Sequence, residues 1–317
     1  MKTTKAAARP AGIKKNENRI LKELRKNNQL YLMILPAVVL VFVFKYIPMY
    51  GVQIAFKEFN ARAGIWGSPW VGMAHINKFL QSPYCLRLIW NTFAINLYSL
   101  LWSFPVPVII AIILNEITSK HYKKTVQTVI CIPHFISTVV MVGIIFLFTN
   151  ESKGIINNML AFIGLDRIPF MAKEKWFRTI YIGSGIWQNA GWNSIIYIAA
   201  LSGVDTQMHE AAIIDGAGRL KRIWYINLPT IMPTIIIMLL MSMGSLLNVG
   251  FEKIYLMQLP LNLDISEVIS TYTYKIAFEG GSFSYGTAIG LFLNVINLVL
   301  LASFNRISKK VGEVSLW

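Results

Sequence analysis

Glu210 and Asp215 are the two acidic residues of a charged stretch, EAAIIDGAGRLKRIWYINLPTIMP (Glu210 to Pro233), set between two strongly apolar segments. Fixed charges there can pair with an Arg or Lys of another protein, while Ile213, Ile214, Leu220 and Ile223 can fill an apolar groove. Gly216, Ala217 and Gly218 carry almost no side chain, so a partner's backbone can approach closely or the chain can adopt positive φ. This is docking chemistry. A second set lies upstream in GIWQNAGWNSIIYIAAL (Gly185 to Leu201), where Gln188 sits over Trp192 and Asn189 over Asn193 at the i, i+4 spacing of a helix, with Trp187 at one edge. Amides that donate and accept, beside indole faces that stack on C–H groups, suit a sugar surface. Ser242, Ser245, Asn248 and Glu252 follow at near-helical spacing, and Asn294 and Asn297 add amides further on. Helix packing uses the same residue types, with Ser and Asn as interhelical glue and Gly286-Thr-Ala-Ile-Gly290 as a close-packing face. The residues alone leave both duties open.

Covalent chemistry has no visible carrier. No GxxxxGK[ST] loop is present to cradle a phosphate, so ATP hydrolysis by this chain alone is not expected. The four histidines, His75, His121, His134 and His209, form no HExxH pair, no zinc spacing of Cys and His occurs, and no GxSxG elbow appears. No metal site or bound cofactor is expected. Cys85 and Cys131 fall on the outer side and inside a span, which argues against a disulfide framework.

The elements that must position these groups are apolar. Over 317 residues, 55% are hydrophobic and only 14% charged, with a mean hydropathy of +0.52, too little charge to cover a soluble body of this size. Six apolar stretches reach the roughly 20 residues that a helix needs to cross a bilayer core, near 29–50, 88–117, 129–149, 179–201, 229–257 and 284–304. Helices are expected because no water is available there for unpaired backbone groups, and the alternation of barrel strands is not seen. Pro105 and Pro107 should kink the second span and Pro133 the third. The Glu210 stretch reads as two short helices, the first from Glu210 and the second over Arg219 to Asn227, meeting at Asp215-Gly216, with Pro229 and Pro233 in the first turn of the next span.

The net charge of +15 does not point to nucleic acid, since the basic residues lie in short blocks at the ends of apolar runs. Eighteen of the thirty Lys and Arg residues fall in 1–28, 118–128, 202–228 and 305–317. That bias sets both termini and the Glu210 loop in the cytoplasm. Residues 1–28 read as a basic cytoplasmic arm, 29–304 as the transmembrane domain with its loop at 202–228, and 305–317 as a cytoplasmic tail. The arm is too long for a typical signal peptide and lacks a small-residue cleavage site after its apolar run, so the first span is expected to be retained. Ionisable residues avoid the span centres, with Glu116 at the inner end of the second and Glu252 near the outer end of the fifth. That pattern is unlike an ion-coupled carrier.

Seven positions of the charged loop carry a resemblance. Glu210-Ala211-Ala212, Gly216, Ile226 and Leu228-Pro229 match, without departure, the EAA loop of membrane subunits of binding-protein-dependent ATP-binding-cassette importers. YLMILPAVVLVFVFKYIPMYGVQIAFKEFN (Tyr31 to Asn60) and GIWGSPWVGMAHINKFL (Gly64 to Leu80) look like the amino-terminal region of the branch that imports oligosaccharides released from polysaccharides.

The resemblance implies an all-α, type I importer permease with six transmembrane helices in a bacterial cytoplasmic membrane. It implies a coupling helix formed by Glu210, Ala211, Ala212, Asp215, Gly216, Ala217, Ile226, Leu228 and Pro229. Its partners would be a second permease chain in a heterodimer, two copies of an ATPase subunit that bind ATP and Mg, and an extracytoplasmic solute-binding protein. The substrate path would include Trp187, Gln188, Asn189, Trp192, Asn193, Ser245 and Asn248. A stand-alone secondary transporter of a small polar solute is the alternative, and a scaffold that recruits a cytoplasmic partner is a third reading.

Overall fold

The computed structural model describes residues 26–244 and 250–312, which are helical apart from turns and a lone antiparallel bridge between Lys57 and Trp70. It forms two compact units, Met1–Gln53 and Ile54–Trp317. The first unit holds nearly all of α1 (Asn28–Phe56), whose apolar window is 0% buried. This helix tolerates Pro36 in its interior and loosens into a π turn at Phe42–Tyr46 just ahead of Pro48.

The second unit is a bundle of α2 (Cys85–Asn115), α3 (Lys120–Phe135), α4 (Thr138–Thr149), α5 (Glu174–Leu201), α6 (Thr206–Ile214), α7 (Arg219–Met243), α8 (Phe251–Met257) and α9 (Phe283–Gly312). Short helices such as Ala74–Leu80, Ile155–Phe162 and Ile269–Tyr274 fill the connections. Four helices, α1, α2, α7 and α9, are long and apolar enough to cross a membrane, and the bent pair α3 and α4 makes a fifth. With 28 residues, α5 is long enough at about 42 Å. Its amides and indoles keep it outside that set.

Several boundaries differ from the sequence expectation. The third apolar run, 129–149, is not one helix, because α3 and α4 meet at 96°. Pro133 lacks an N–H, the backbone becomes extended at Ile136, and Ser137 caps a new helix by accepting from the Val140 N–H at 3.4 Å. Pro105, by contrast, stands at the first turn of a helical segment and α2 runs through it as 31 residues. The fifth run, 229–257, is also interrupted, since Gly250 is non-helical and caps α8. The sixth helix continues past 304 to Gly312. Most of the basic arm, residues 1–25, lies outside the described residues.

Two apolar clusters grip α5 at opposite ends. Ile95, Met141, Val142, Ile145, Phe177, Ile254 and Met257 pack around its start, and Val108, Ala111, Tyr197, Leu201 and Ile231 around its end. Lipid tails are as apolar as these side chains, so close contact and hydrogen bonds, not transfer from water, decide which helices associate. Gly191 is the clearest close contact, since a Cβ there would stand 2.1 Å from the Ile130 carbonyl oxygen of α3. Gly286 of α9 is similar, with 2.6 Å to the Ala277 Cβ, whereas Gly290 faces open space.

Beyond the first cluster, polar side chains bind the connections. The side chain of Asn262, fully buried, donates to the Met171 and Met257 carbonyls and accepts from Leu259 N and Ser266 Oγ at 2.8–3.3 Å. Arg87 pairs with Asp264 and Glu267, and Lys275 also pairs with Glu267. Cys85 is buried, Cys131 half-buried, and both are free.

Candidate functional site

The charged loop is built around a helix stop. Asp205 caps α6 by accepting from the Gln207 N–H at 2.9 Å. At the other end Gly216 takes φ +75°, the Gly216 N–H reaches the Ile213 carbonyl at 3.0 Å, and the Ala217 N–H reaches the Ala212 carbonyl at 2.8 Å. That pair of bonds is a Schellman motif, and glycine fills the left-handed position because a Cβ there costs about 1–2 kcal/mol. Glu210, Ala211 and Asp215 are exposed, and Ala212 and Ala217 are half-buried. Ile214 is 86%, Leu220 74% and Tyr225 79% exposed, so the elbow presents apolar side chains beside acidic ones.

The second half of the loop differs from the expected short helix over Arg219 to Asn227. Arg219 opens α7, which passes through a π turn at Ile223–Asn227 and continues to Met243. The wider turn relieves the backbone ahead of Pro229, so Pro229 and Pro233 lie within the run and do not start it. Ile226 is buried, Leu228 half-buried and Pro229 exposed. Asn227, fully buried, donates from Nδ2 to Glu116 Oε1 at 3.4 Å, which ties this turn to the end of α2. Sequence reading missed Asn227; the available signal was an amide between the motif's Ile226 and Leu228.

The middle of α5 faces two adjoining cavities. One, of about 650 Å³, is lined by Ser99 and Ser103 of α2, the α3–α4 break, Tyr181, Gly185, Gln188, Asn189 and Asn193 of α5, and Lys253 of α8. The other, about 400 Å³, is lined by Asn96, Ser99, Ser103, Asn193, Tyr197 and Ser242 among others. Sharing Ser99, Ser103 and Asn193, they make a polar strip from Tyr181 to Tyr197, roughly 24 Å of helix. That length is close to the ~30 Å of a bilayer core.

The broken helix supplies part of this wall. Opening the backbone at Ile136 frees its carbonyl, and Gln188 Nε2 donates to it at 2.9 Å. Asn189 Oδ1 lies 3.1 Å from His134 Nδ1. Trp192 stacks on His134 with centroids 4.6 Å apart and planes 6° apart, and Phe135 meets it edge-on. Gln188, Asn189 and Asn193 thus come together at the cavity, while Trp192 packs against the break. Trp187, 53% exposed, lines neither cavity, and Ser245 and Asn248 lie outside the described residues. Glu252 and Asn294 are exposed, and Asn297 is buried away from both cavities. Sequence reading did not single out Ser99, Ser103, His134, Tyr181 or Lys253 for this wall. Pro133 followed by a Ser137 cap was the signal for His134.

The arrangement offers hydroxyls, amides and aromatic faces along two adjoining cavities, with an exposed elbow following the helix that lines them. Residues 103–313 match the family described as the binding-protein-dependent transport system inner membrane component. The chain belongs to this family. As a member, it is 41% identical over 304 residues to the polygalacturonan/rhamnogalacturonan transport system permease protein YteP of Bacillus subtilis (strain 168), covering 96% of this chain and 95% of YteP. It is 40% identical to protein LplB of the same organism, over 93% of this chain and 92% of that one. A crystal structure of a bacterial ABC transporter that imports the acidic polysaccharide alginate superposes with a TM-score of 0.86 at 40% identity, covering 93% of this chain and 99% of that chain. A second, of the alginate transporter with its alginate pentasaccharide-bound periplasmic protein, gives 0.86 at 39% identity over 94% and 100%. The fold is therefore that of a type I importer permease. Membership in a binding-protein-dependent family sets aside the stand-alone carrier.

Proposed function

We propose that this permease subunit of an ATP-driven importer carries oligosaccharides released from polysaccharides across the bacterial cytoplasmic membrane, after delivery by an extracytoplasmic solute-binding protein. The polar strip along α5, with the elbow of α6 exposed at one end, is the observation that carries this reading. The named substrates of YteP and of the alginate importer support the sugar class, and the alginate complex supports the binding protein. Six crossings follow if the bent α3 and α4 count as one and the polar α5 is admitted beside α1, α2, α7 and α9. The Lys and Arg bias puts both termini and the elbow in the cytoplasm.

A second permease chain completes the pathway as a heterodimer, and two ATPase subunits bind ATP and Mg. Their closure moves α6 through Glu210, Ala211, Ala212, Asp215, Gly216 and Ala217. The stiff run of α7 and the Asn227–Glu116 contact carry that displacement into the bundle. Gln188, Asn189 and Asn193 hydrogen-bond the passing sugar. This chain does no covalent chemistry.

The test is to extract the tagged chain from its own membrane in mild detergent and identify by mass spectrometry what remains bound. A Walker-type ATPase and a second six-span protein are expected. Glu210→Lys sets a positive charge against a basic cleft, a cost on the order of several kcal/mol in a buried junction, so that variant loses the ATPase and keeps the second permease. Recovery of the chain alone, with uptake intact after reconstitution, would sink the reading.

A further inference from the structure

Among the described residues lining the larger cavity Lys253 is the one Lys or Arg, and neither Asp nor Glu is among them. Its Nζ donates to the Tyr181 carbonyl at 3.1 Å and lies 5.0 Å from the centre of the Tyr181 ring. A Cβ on Gly185 would stand 3.5 Å from the same nitrogen, an ordinary contact that places the ammonium against the face of α5 at the cavity. Tyr181 is seven residues into α5, about 11 Å from its start. The ammonium is therefore held inside the bundle.

Buried Lys57 likewise donates to a carbonyl, that of Ile65, and lies over the Trp70 ring, but it lines no part of this cavity, and three other cations of this unit meet carboxylates or amides. Arg87 and Lys275 pair with Asp264 and Glu267, and Arg178 donates to Asn91. Among the described residues no carboxylate pairs with Lys253; its neighbour Glu252 is exposed, and residues 245–249 include no acidic residue. A cation held in a helix bundle without a counter-ion is costly, and such residues mark ion or substrate pathways. Here the counter-charge has to arrive in the cavity. A volume of about 650 Å³ falls within the range of small-molecule sites, about 300–1,000 Å³.

We infer that Lys253 selects the charge of the cargo, binding a carboxylate of an anionic, uronate-type oligosaccharide while Gln188, Asn189 and Asn193 bind its hydroxyls. This rests on the oligosaccharide-import reading and specifies its substrate class. It also accounts for the wall's chemistry, since a neutral sugar is served by the amides and hydroxyls and has no use for an ammonium.

The test uses the assembled transporter, purified without its binding protein so that delivery does not bias the result. Affinities for a galacturonate trisaccharide and its carboxyl-reduced, neutral counterpart are measured for the native protein, Lys253→Met and Lys253→Arg. The native protein should prefer the uronate, Lys253→Met should lower the ratio of affinities at least about tenfold, and Lys253→Arg should keep it within about threefold. A structural tie between α5 and α8 would weaken both probes together and leave the ratio unchanged. That outcome overturns the proposal, as does a native protein that prefers the neutral probe or binds neither. Uptake by cells bearing the native importer tests the underlying reading separately. Import of only neutral oligosaccharides would remove the role of Lys253 and leave the importer standing, whereas import of no oligosaccharide would remove both.

Discussion

Gly191 and Gly183 lie two turns apart on α5, and only one of them is a contact. At Gly191 an added Cβ would meet the Ile130 carbonyl oxygen at 2.1 Å, and a backbone atom cannot swing aside as a side-chain tip can. At Gly183 nothing lies within 4 Å. Gly191→Ala should therefore cost about 1–3 kcal/mol by overpacking the α3–α5 contact. Gly183→Ala should be neutral or stabilising by up to about 1 kcal/mol through helix propensity. Thermal unfolding in detergent, followed by fluorescence size exclusion, checks the pair. Equal melting points for the two variants would contradict the close approach. The contact also fixes the site, because it holds Trp192, the next residue, against His134.

At the scale of elements, two interruptions do most of the positioning. The 96° break between α3 and α4 turns His134 and the Ile136 carbonyl toward α5. The Schellman stop at Gly216 separates α6 from α7 and lets the elbow protrude. Since the left-handed position costs a β-branched residue most and Asn less, uptake should fall in the order Gly216, Gly216→Asn, Gly216→Val, with the valine variant losing at least about tenfold. Radiolabelled uptake alongside copurification of the ATPase reads this. Full uptake by Gly216→Val would show that the elbow does not need its left-handed turn. The two interruptions differed in legibility. Asp215-Gly216 announces a stop in any sequence, because glycine after a helical run has few other uses. Pro133 announced only a kink, since whether a proline bends a helix or ends it depends on what receives the freed carbonyl, here Gln188 from 52 positions away.

For the whole molecule, orientation is the property on which every role above depends. Ile214, 86% exposed on the elbow, and Trp66, 81% exposed in the connection ahead of α2, provide two reporters. Ile214→Cys should react with a membrane-impermeant maleimide only after permeabilisation, and Trp66→Cys should react in intact cells. Buried Cys85 and half-buried Cys131 leave a low background. Labelling of Ile214→Cys in intact cells would overturn the assignment of the elbow to the cytoplasm. The sequence by itself determined the helical class, the apolar runs, the helix stop at Gly216 and the family, because hydropathy, motif spacing and glycine stops are local properties that survive without a fold. It also marked Gln188, Asn189 and Asn193 as chemically capable. Only the tertiary structure decided which capable residues share a cavity. It set Trp187 aside, committed Trp192 to His134, and brought in Ser99, Ser103 and Lys253 from helices distant in sequence. The physical reason is that a membrane helix is apolar on nearly every face, so its pattern does not reveal which face meets lipid. Contacts such as Gly191 against Ile130 set that rotation, and they exist only once both helices are in place.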